Sequence, residues 1–310
     1  MKALITGGAG FIGSHLCDFL LARQCQVICL DNLLTGQMGN IDHLVKNKSF
    51  TFLSQDITSA LAIESDIDFI FHLASPASPR EFQRLPLETM KACSLGTLNA
   101  LELAKDKRAR FLLASTSEVY GDPLEHPQKE EYWGNVNPVG PRSVYDEAKR
   151  FAEALTMAYH RQFHLDTRIA RIFNTYGPRM KQEDGRVVPS FIVQALQGKP
   201  LTIFGDGTQT RSFCYISDLV EGLYKLALSG INTPINLGNP DEITVISLAN
   251  RILKFTGSKS KTQNLPLPED EPKVRQPDIS KAKELLQWQP EIPLEKGLKK
   301  TISWFQNISK

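Results

Sequence analysis

The chain has 310 residues, 41% hydrophobic and 23% charged, and its 36 Lys and Arg against 34 Asp and Glu leave a formal charge of +2. Such a length can bury a large core in two connected lobes, and balanced charge without a basic run offers no electrostatic footprint for nucleic acid or an anionic membrane. No stretch approaches the ~20 apolar residues of a spanning helix, and five cysteines, Cys17, Cys25, Cys29, Cys93 and Cys214, form no C-x-x-C pair and fit reduced thiols in a cytoplasm.

The opening "MKALITGGAGFIGSHLCDFLLA" sets Lys2 before an apolar run as a secretory leader would, but its glycines, His15 and Asp18 interrupt the run. It reads instead as strand, turn and helix. "KALIT", the span from Phe11 to Arg23, "QVICLD", "FTFLSQD", "DFIFHLA", the span from Pro86 to Lys105 and "RFLLAST" then alternate short apolar runs with helical periodicity. This is the pattern of a parallel sheet wrapped by helices, an α/β fold.

Between the first strand and the first helix, "TGGAGFIG" supplies Gly7, Gly10 and Gly13. Gly7 permits a tight turn, Gly10 lets a pyrophosphate approach the backbone, Gly13 allows close helix packing, and the helix N-terminus attracts phosphate. Phe11 and Ile12 open that helix beside the expected dinucleotide. Asp31, ending the second strand about twenty residues on, would accept hydrogen bonds from ribose hydroxyls and repel a 2′-phosphate, which favours NAD over NADP. Asn32 follows it. Asp56, after the third strand, either receives the adenine amino group or simply ends the strand, and Ile57 and Leu73 complete the expected cofactor wall.

From Ser143 to His164, apolar Val144, Ala148, Phe151, Leu155 and Ala158 recur at helical spacing and predict a helix with an apolar side. Tyr145 and Lys149 lie one turn apart beside it, on a shared face. A lysine so placed can pull a phenol down from about 10 toward neutrality and make it a usable base for dehydrogenase-type chemistry. The preceding strand runs out through "ASTSEVYGD" at its carboxyl end, where open α/β sheets bind ligands, so Thr116, Ser117 and Glu118 should face the nicotinamide.

After "TRIARIFNTYGPRM" the composition turns to Pro, Gly and polar residues in "KQEDGRVVPSF", "FGDGTQTR" and "NLPLPEDEPKVRQPD", loops suited to surrounding a ligand. The stretch from Pro293 to Phe305 reads as a closing amphipathic helix. His160 and His164 have helical metal-ligand spacing but no Glu between them and no third ligand, so no metal is expected.

Taken in order, "TGGAGFIGSHL", "HLASPAS", "ASTSEVYGDP", "NPVGPRSVYDEAKR", "RIFNTYGPRM", "DGRVVPSFI", "QALQGKPLTIFGDGTQTRSF" and "RQPDISKAK" resemble the nucleotide-sugar branch of the extended short-chain dehydrogenase/reductase superfamily over essentially the whole chain. Within it the resemblance is nearest to the UDP-glucuronate decarboxylase family. It implies a Rossmann-type doubly wound sheet in residues 1–175, with about 212–238 returning to it, and a smaller interleaved nucleotide-sugar domain in 176–310. It also implies a homodimer joined through the helix bearing Tyr145 and its neighbour near Pro86 to Lys105.

The same resemblance implies a reaction. Tyr145, assisted by Lys149 and NAD⁺, would take the sugar 4-hydroxyl proton while C4 gives up its hydride, with Thr116 bonding that hydroxyl. A carboxylate on C5 then makes a β-keto acid, which loses CO₂; reprotonation at C5 and return of the hydride give UDP-xylose. Family dehydratases resemble "TDE" where this chain has Ser117, and a 4,6-dehydratase needs that acid to expel a hydroxyl. Glu118 could manage the C5 proton or a nearby water, or could be a structural carboxylate; ordinary 4-epimerases lack it.

For the UDP-sugar, Arg211 and Arg275 match diphosphate-binding positions, Arg275 also matching a residue near the sugar, and Asn174 matches a diphosphate-sugar contact. Gln209 joins this set. Val188, Phe191 and Phe204 would line the nucleoside pocket or serve as plain packing. Arg142 and Arg186 are candidates for the substrate carboxylate or phosphates, or surface ion-pair formers. Phe82 and Arg84 stand where family decarboxylases carry tyrosines beside the substrate cleft, and Ala92 and Cys93 where Thr, Ser or Asn is frequent. Other readings are a nucleotide-sugar 4,6-dehydratase or 4-epimerase, and a non-catalytic NAD-binding sensor, which would have no need of Thr116, Tyr145 and Lys149 together.

Overall fold

A computed structural model of the chain describes residues 1–267, 272 and 274–308. The predicted loop "NLPLPEDEPKVRQPD" therefore lies partly outside the described residues. In chain order the first lobe contains β1 (Lys2–Thr6), α1 (Phe11–Ala22), β2 (Gln26–Asp31), β3 (Phe50–Ser54), β4 (Phe69–His72), α2 (Pro79–Arg84), α3 (Pro86–Lys91), α4 (Thr97–Lys107), β5 (Arg110–Thr116), α5 (Ser143–Phe163) and β6 (Thr167–Ile172). There follow β7 (Thr175–Tyr176), α6 (Val187–Leu196), β8 (Leu201–Phe204), β9 (Thr210–Ser212), β10 (Cys214–Tyr215), α7 (Ile216–Leu228), β11 (Pro234–Leu237), β12 (Glu242–Thr244), α8 (Val245–Thr256), β13 (Thr262–Leu265), α9 (Ser280–Leu286) and α10 (Leu294–Ile308).

Seven strands make the main sheet in the order β11-β6-β5-β4-β1-β2-β3, and every pairing in it is parallel. Helices cover both faces, which is why the central strands are continuous apolar runs: Ala3, Leu4 and Ile5 of β1 and Phe111, Leu112 and Leu113 of β5 are all buried. The chain reverses its direction of travel across the sheet between β1 and β4, and the crevice beyond the carboxyl ends of the strands at such a switch point is where a doubly wound fold takes its ligand. Small sheets of β8 with β13 and β9 with β12, together with α6, α8 and α10, build the second lobe, while α7 and β11 return to the first.

The span from Pro86 to Lys105, expected as one helix, is α3 and α4 joined by a π turn at Ala92–Gly96. The wider turn seats Gly96 against Ile57, where a Cβ would come within 2.8 Å of that side chain, and brings the Cys93 thiol 3.2 Å from the Ser75 hydroxyl.

The faces of α5 also differ from the expected ones. Its buried face is Tyr145, Asp146, Ala148, Lys149, Ala152, Thr156 and Tyr159, mostly small or polar side chains that permit close approach to the sheet and α4. Of the apolar side, Ala148 alone is buried; Phe151 is 50% exposed and Ala158 lies at the surface. No helix among the described residues is long and apolar enough to cross a membrane.

Candidate active site

The glycine turn closes on itself for steric reasons. Gly7 has φ +71°, and a Cβ there would lie 2.8 Å from the Ala74 amide nitrogen; one on Gly13 would lie 2.2 Å from the Gly7 carbonyl. Gly10 caps α1 in an extended conformation with no side-chain cap, so the first amides of this 12-residue helix, at Phe11 and Ile12, meet the cleft with their dipole toward it.

Asp31 holds the turn as well as facing the cleft. Its Oδ2 accepts from the Ala9 amide at 3.0 Å and its Oδ1 from the Leu33 amide at 2.8 Å, while burial pushes its carboxyl up. Asn32 Nδ2 donates to Asp56 Oδ2 at 2.9 Å, and Asp56 Oδ1 accepts from the amide and hydroxyl of Thr58. Desolvation pushes Asp56 up, but the bonds from Thr58 and Asn32 outweigh it and hold the carboxyl below its ordinary value.

These residues open on one cleft of about 1010 Å³ running along the carboxyl ends of the central strands. Every position the sequence nominated for cofactor or substrate lies on its wall, from Gly7, Asp31, Ile57 and Leu73 at one end to Asn174, Val188, Phe191, Gln209 and Arg211 at the other. Val188 and Phe191 are also core residues of α6, whereas Phe204 stands 43% exposed at the rim. Gln209 Nε2 donates to the Phe204 carbonyl, and Arg211 donates to the carbonyls of Thr210 and Pro272.

In the middle of the cleft, β5 presents Thr116 and α5 presents Tyr145 and Lys149, all three buried. Lys149 Nζ donates to the Ala114 carbonyl at 2.9 Å and stands 5.8 Å from the Tyr145 ring centre. The expected depression of the phenol is absent from the protein itself: burial pushes Tyr145 well up, the nearby Cys93 adds to this, and a hydrogen bond with Thr116 opposes it. The Lys149 ammonium is committed to a backbone carbonyl, and desolvation of the buried phenol dominates.

Beside the phenol sits a charge cluster. Arg142 Nη2 reaches Glu118 Oε2 at 2.6 Å, and Arg275 reaches the same oxygen through Nη2 at 3.1 Å while its Nη1 donates to the Ser117 carbonyl at 2.8 Å. Desolvation alone would push Glu118 up, but Arg275 and Arg142 carry it down to about 2. Held down by its two arginines, Glu118 stands as an anion in this arrangement, which favours the structural carboxylate over the proton carrier of the two readings of the sequence. Arg142 and Arg186 are paired inside the cleft instead of at the surface, Arg186 through Nε to Asp184 Oδ1 at 2.5 Å and Nη2 to Oδ2 at 2.7 Å.

Of the departures from the family pattern, Phe82 and Ala92 line the cleft, but Arg84 turns outward to Glu81 and is absent from its wall. Both ring nitrogens of His160 have partners within the protein, Nδ1 the Leu165 carbonyl and Nε2 the Asn232 amide. Sequence reasoning passed over Lys181 and Asp184 in "KQEDGR", and did not recognise the segment bearing Phe82 and Arg84 as the helix α2. Ser78-Pro-Arg-Glu81 carries the signature of a capped helix start, with Glu81 N donating to Ser78 Oγ at 3.4 Å, and could have been read as such.

A switch-point cleft with a glycine turn at one end and Thr116, Tyr145 and Lys149 at its centre defines an extended short-chain dehydrogenase/reductase. The chain belongs to the GDP-mannose 4,6-dehydratase family, whose model matches residues 4–301. Among curated proteins it is similar to UDP-glucuronic acid decarboxylase 1 of Danio rerio, 53% identical over 98% of this chain and 72% of the relative. It is also similar to UDP-glucuronic acid decarboxylase 1 of Arabidopsis thaliana, 52% identical over 99% of this chain and 70% of that protein. Among solved structures, UDP-glucuronic acid 4-epimerase from Bacillus cereus, in complex with UDP-glucuronic acid and NAD, superimposes with a TM-score of 0.86 at 32% identity, covering 99% of this chain and 100% of the other.

Proposed function

We propose that the chain is an NAD-dependent decarboxylase that converts UDP-glucuronate to UDP-xylose through a 4-keto intermediate. The observation that carries this reading is the cluster beside Tyr145: two guanidinium groups, Arg142 and Arg275, share one carboxylate, and a serine occupies position 117 where expulsion of a hydroxyl would need an acid. The decarboxylases named above, more than half identical to this chain, support the same substrate.

The cofactor end fits a dinucleotide. A side chain at Gly7 or Gly13 would collide with backbone, so the turn keeps a bare cradle, and the uncapped start of α1 suits a pyrophosphate. Asp31 suits the adenosine ribose and opposes a 2′-phosphate, which favours NAD. When bound, NAD⁺ would supply the acceptor, and afterwards the donor, of the C4 hydride.

Tyr145 takes the proton of the sugar 4-hydroxyl, Lys149 stabilises the phenolate, and Thr116 orients the hydroxyl. Arg142 and Arg275 receive the substrate carboxylate, which becomes β to the new 4-ketone. As the C5–C6 bond breaks, CO₂ leaves and the electron pair passes into an enolate whose oxygen Tyr145 and Thr116 hold; a proton from water then adds at C5, and Tyr145 returns its own proton to the 4-oxygen as C4 is reduced again. Glu118 keeps the two arginines in place without itself exchanging a proton. Asn174, Arg186, Gln209 and Arg211 suit the diphosphate and uridine, with Val188, Phe191 and Phe204 around the base.

Incubation of the purified protein with UDP-glucuronate, with and without added NAD⁺, tests this by CO₂ release and product mass. Release of CO₂ with a UDP-pentose is expected. A product of unchanged mass would favour an epimerase, loss of water from a hexose substrate a dehydratase, and inertness toward a broad UDP-sugar panel a sensor.

We further infer a homodimer. Leu87 and Met90 on α3, Leu95 in the π turn, Leu98 on α4 and Phe151 on the adjacent α5 expose a run of large apolar side chains. A Phe151→Glu chain sedimenting as a monomer beside a wild-type dimer is the expected result; a monomeric wild type would remove the inference. Residues 1–175 with 212–238 form the cofactor lobe in this reading and 176–310 the substrate lobe. Buried free thiols at Cys17, Cys25, Cys29, Cys93 and Cys214 favour a reducing compartment such as the cytoplasm, and their modification under native and unfolding conditions checks it.

A further inference from the structure

Phe82 is buried, with 1% of its surface exposed, and its ring lies parallel to that of Tyr145: the centroids are 5.2 Å apart and the planes differ by 5°. This is the separation of a stacked aromatic pair, and it covers one face of the phenol that the cleft chemistry uses. The Arg142 guanidinium lies 5.8 Å from the centroid of the same ring, so Phe82 stacks on the proposed base and lies within cation–π range of the charge cluster beside it.

Phe82 is itself held from across the cleft. It belongs to the six-residue α2, and the preceding residue, Glu81, accepts from Lys181 Nζ at 3.2 Å. Arg80 Nη1 donates to the Glu183 carbonyl at 3.3 Å, and a Cβ on Gly185 would stand 3.2 Å from the Arg80 side chain. The segment from Lys181 to Arg186 that leads into α6 is thus fastened to the helix whose aromatic ring leans on Tyr145.

From this geometry we infer that Phe82 is a positioning residue: its ring fixes the Tyr145 side chain so that the phenol oxygen stays at Thr116 and at the reacting hydroxyl. A Tyr side chain swings about its Cα–Cβ bond, and a parallel ring pinned by α2 blocks that swing on one side. Phe82 makes no proton transfer; it acts through Tyr145. This rests on the reading of Tyr145 as the base.

The test compares wild type, Phe82→Met and Phe82→Tyr, using UDP-glucuronate deuterated at C4. Met fills a similar volume without a ring face, so it removes the stack while leaving the core filled. Phe82→Met is expected to lower kcat about 10²-fold, the scale of a misplaced reacting group, with KM within about threefold of wild type. The deuterium isotope effect on kcat should rise as hydride transfer becomes limiting. Phe82→Tyr keeps the ring and should recover most of the rate. A side chain that merely packs would lower Tm and leave kcat and the isotope effect unmoved, and that result overturns the inference, as does a Phe82→Tyr protein as slow as Phe82→Met.

Should Phe82→Met fail to fold, Phe82→Leu carries the same comparison. If wild type leaves UDP-glucuronate unchanged, the substrate reading fails by itself. The stack is then read without substrate from the ring-flip rate of Tyr145, its resonance assigned by Tyr145→Phe: faster flipping in Phe82→Met upholds the contact as what holds the ring, and an equal rate overturns it.

Discussion

The two ends of the cleft are built by different means. At the cofactor end the wall is backbone: a bare turn after β1, the open start of α1, and Asp31, which grips the turn from the neighbouring strand through the Ala9 amide. At the substrate end the wall is side-chain charge gathered from distant segments: Glu118 meets Arg142 24 residues on and Arg275 157 residues on. One end tolerates little because space is short. The other tolerates little because each charge has been taken out of water and depends on its partner.

If the centre of the cleft does chemistry and the ends do binding, Tyr145→Phe should separate them most sharply. It keeps the ring and its stack on Phe82 but removes the proton acceptor. Turnover should fall about 10²–10⁴-fold, with NAD and UDP affinities measured by calorimetry unchanged. A rate near wild type would take Tyr145 out of the mechanism.

Asp31→Ala addresses one end alone. It removes an ionised acceptor, whose hydrogen bonds are each worth about 1.5–3 kcal/mol, so NAD binding should weaken at least about tenfold while UDP binding holds. Equal loss at both sites would show that Asp31 supports the whole cleft and that the two ends are not independent. Unchanged NAD affinity would show that the ribose lies elsewhere.

The same contrast explains what the sequence disclosed. The cofactor end was legible because it is contiguous: strand, glycine turn, helix and the aspartate of the next strand all fall within residues 2–31. The parallel order of the first strands was legible for a similar reason, since apolar runs separated by helical spans leave few alternatives. Arg275, Glu118 and Arg142 could each be nominated, but their sharing of one oxygen could not, because nothing local records a contact across 157 residues. Hence Glu118 was open to a proton-handling role, against which its two arginine partners weigh. On α5, helical period located an apolar side without telling which side meets the sheet, and the buried face went to small residues and the Tyr145 and Lys149 pair.

Asp146 offers the finest probe of the substrate end. It follows Tyr145 on α5, is buried, and has Oδ1 without a hydrogen-bond partner among the described residues. Burial, then the Glu118 carboxylate, push it up to about 7; Arg142 and Arg275 pull down, and Glu147 on its own helix adds slightly to the rise. The folded state therefore keeps a proton that the unfolded chain releases near pH 4, so this group's contribution falls as pH rises from about 4 to about 7 and is constant above. Glu118 has the opposite sign and a different window: being held at about 2, it contributes fully above its ordinary value of 4.5 and loses that contribution as pH falls toward 2. Asp146→Asn keeps the shape and removes the first titration only. Relative to wild type, its Tm should be about 2–4 °C higher near pH 8 and about equal near pH 4. Parallel Tm curves for the two proteins would show that Asp146 is solvated or otherwise partnered, and that the electrostatic tension at this end resides in the Glu118 and arginine cluster alone.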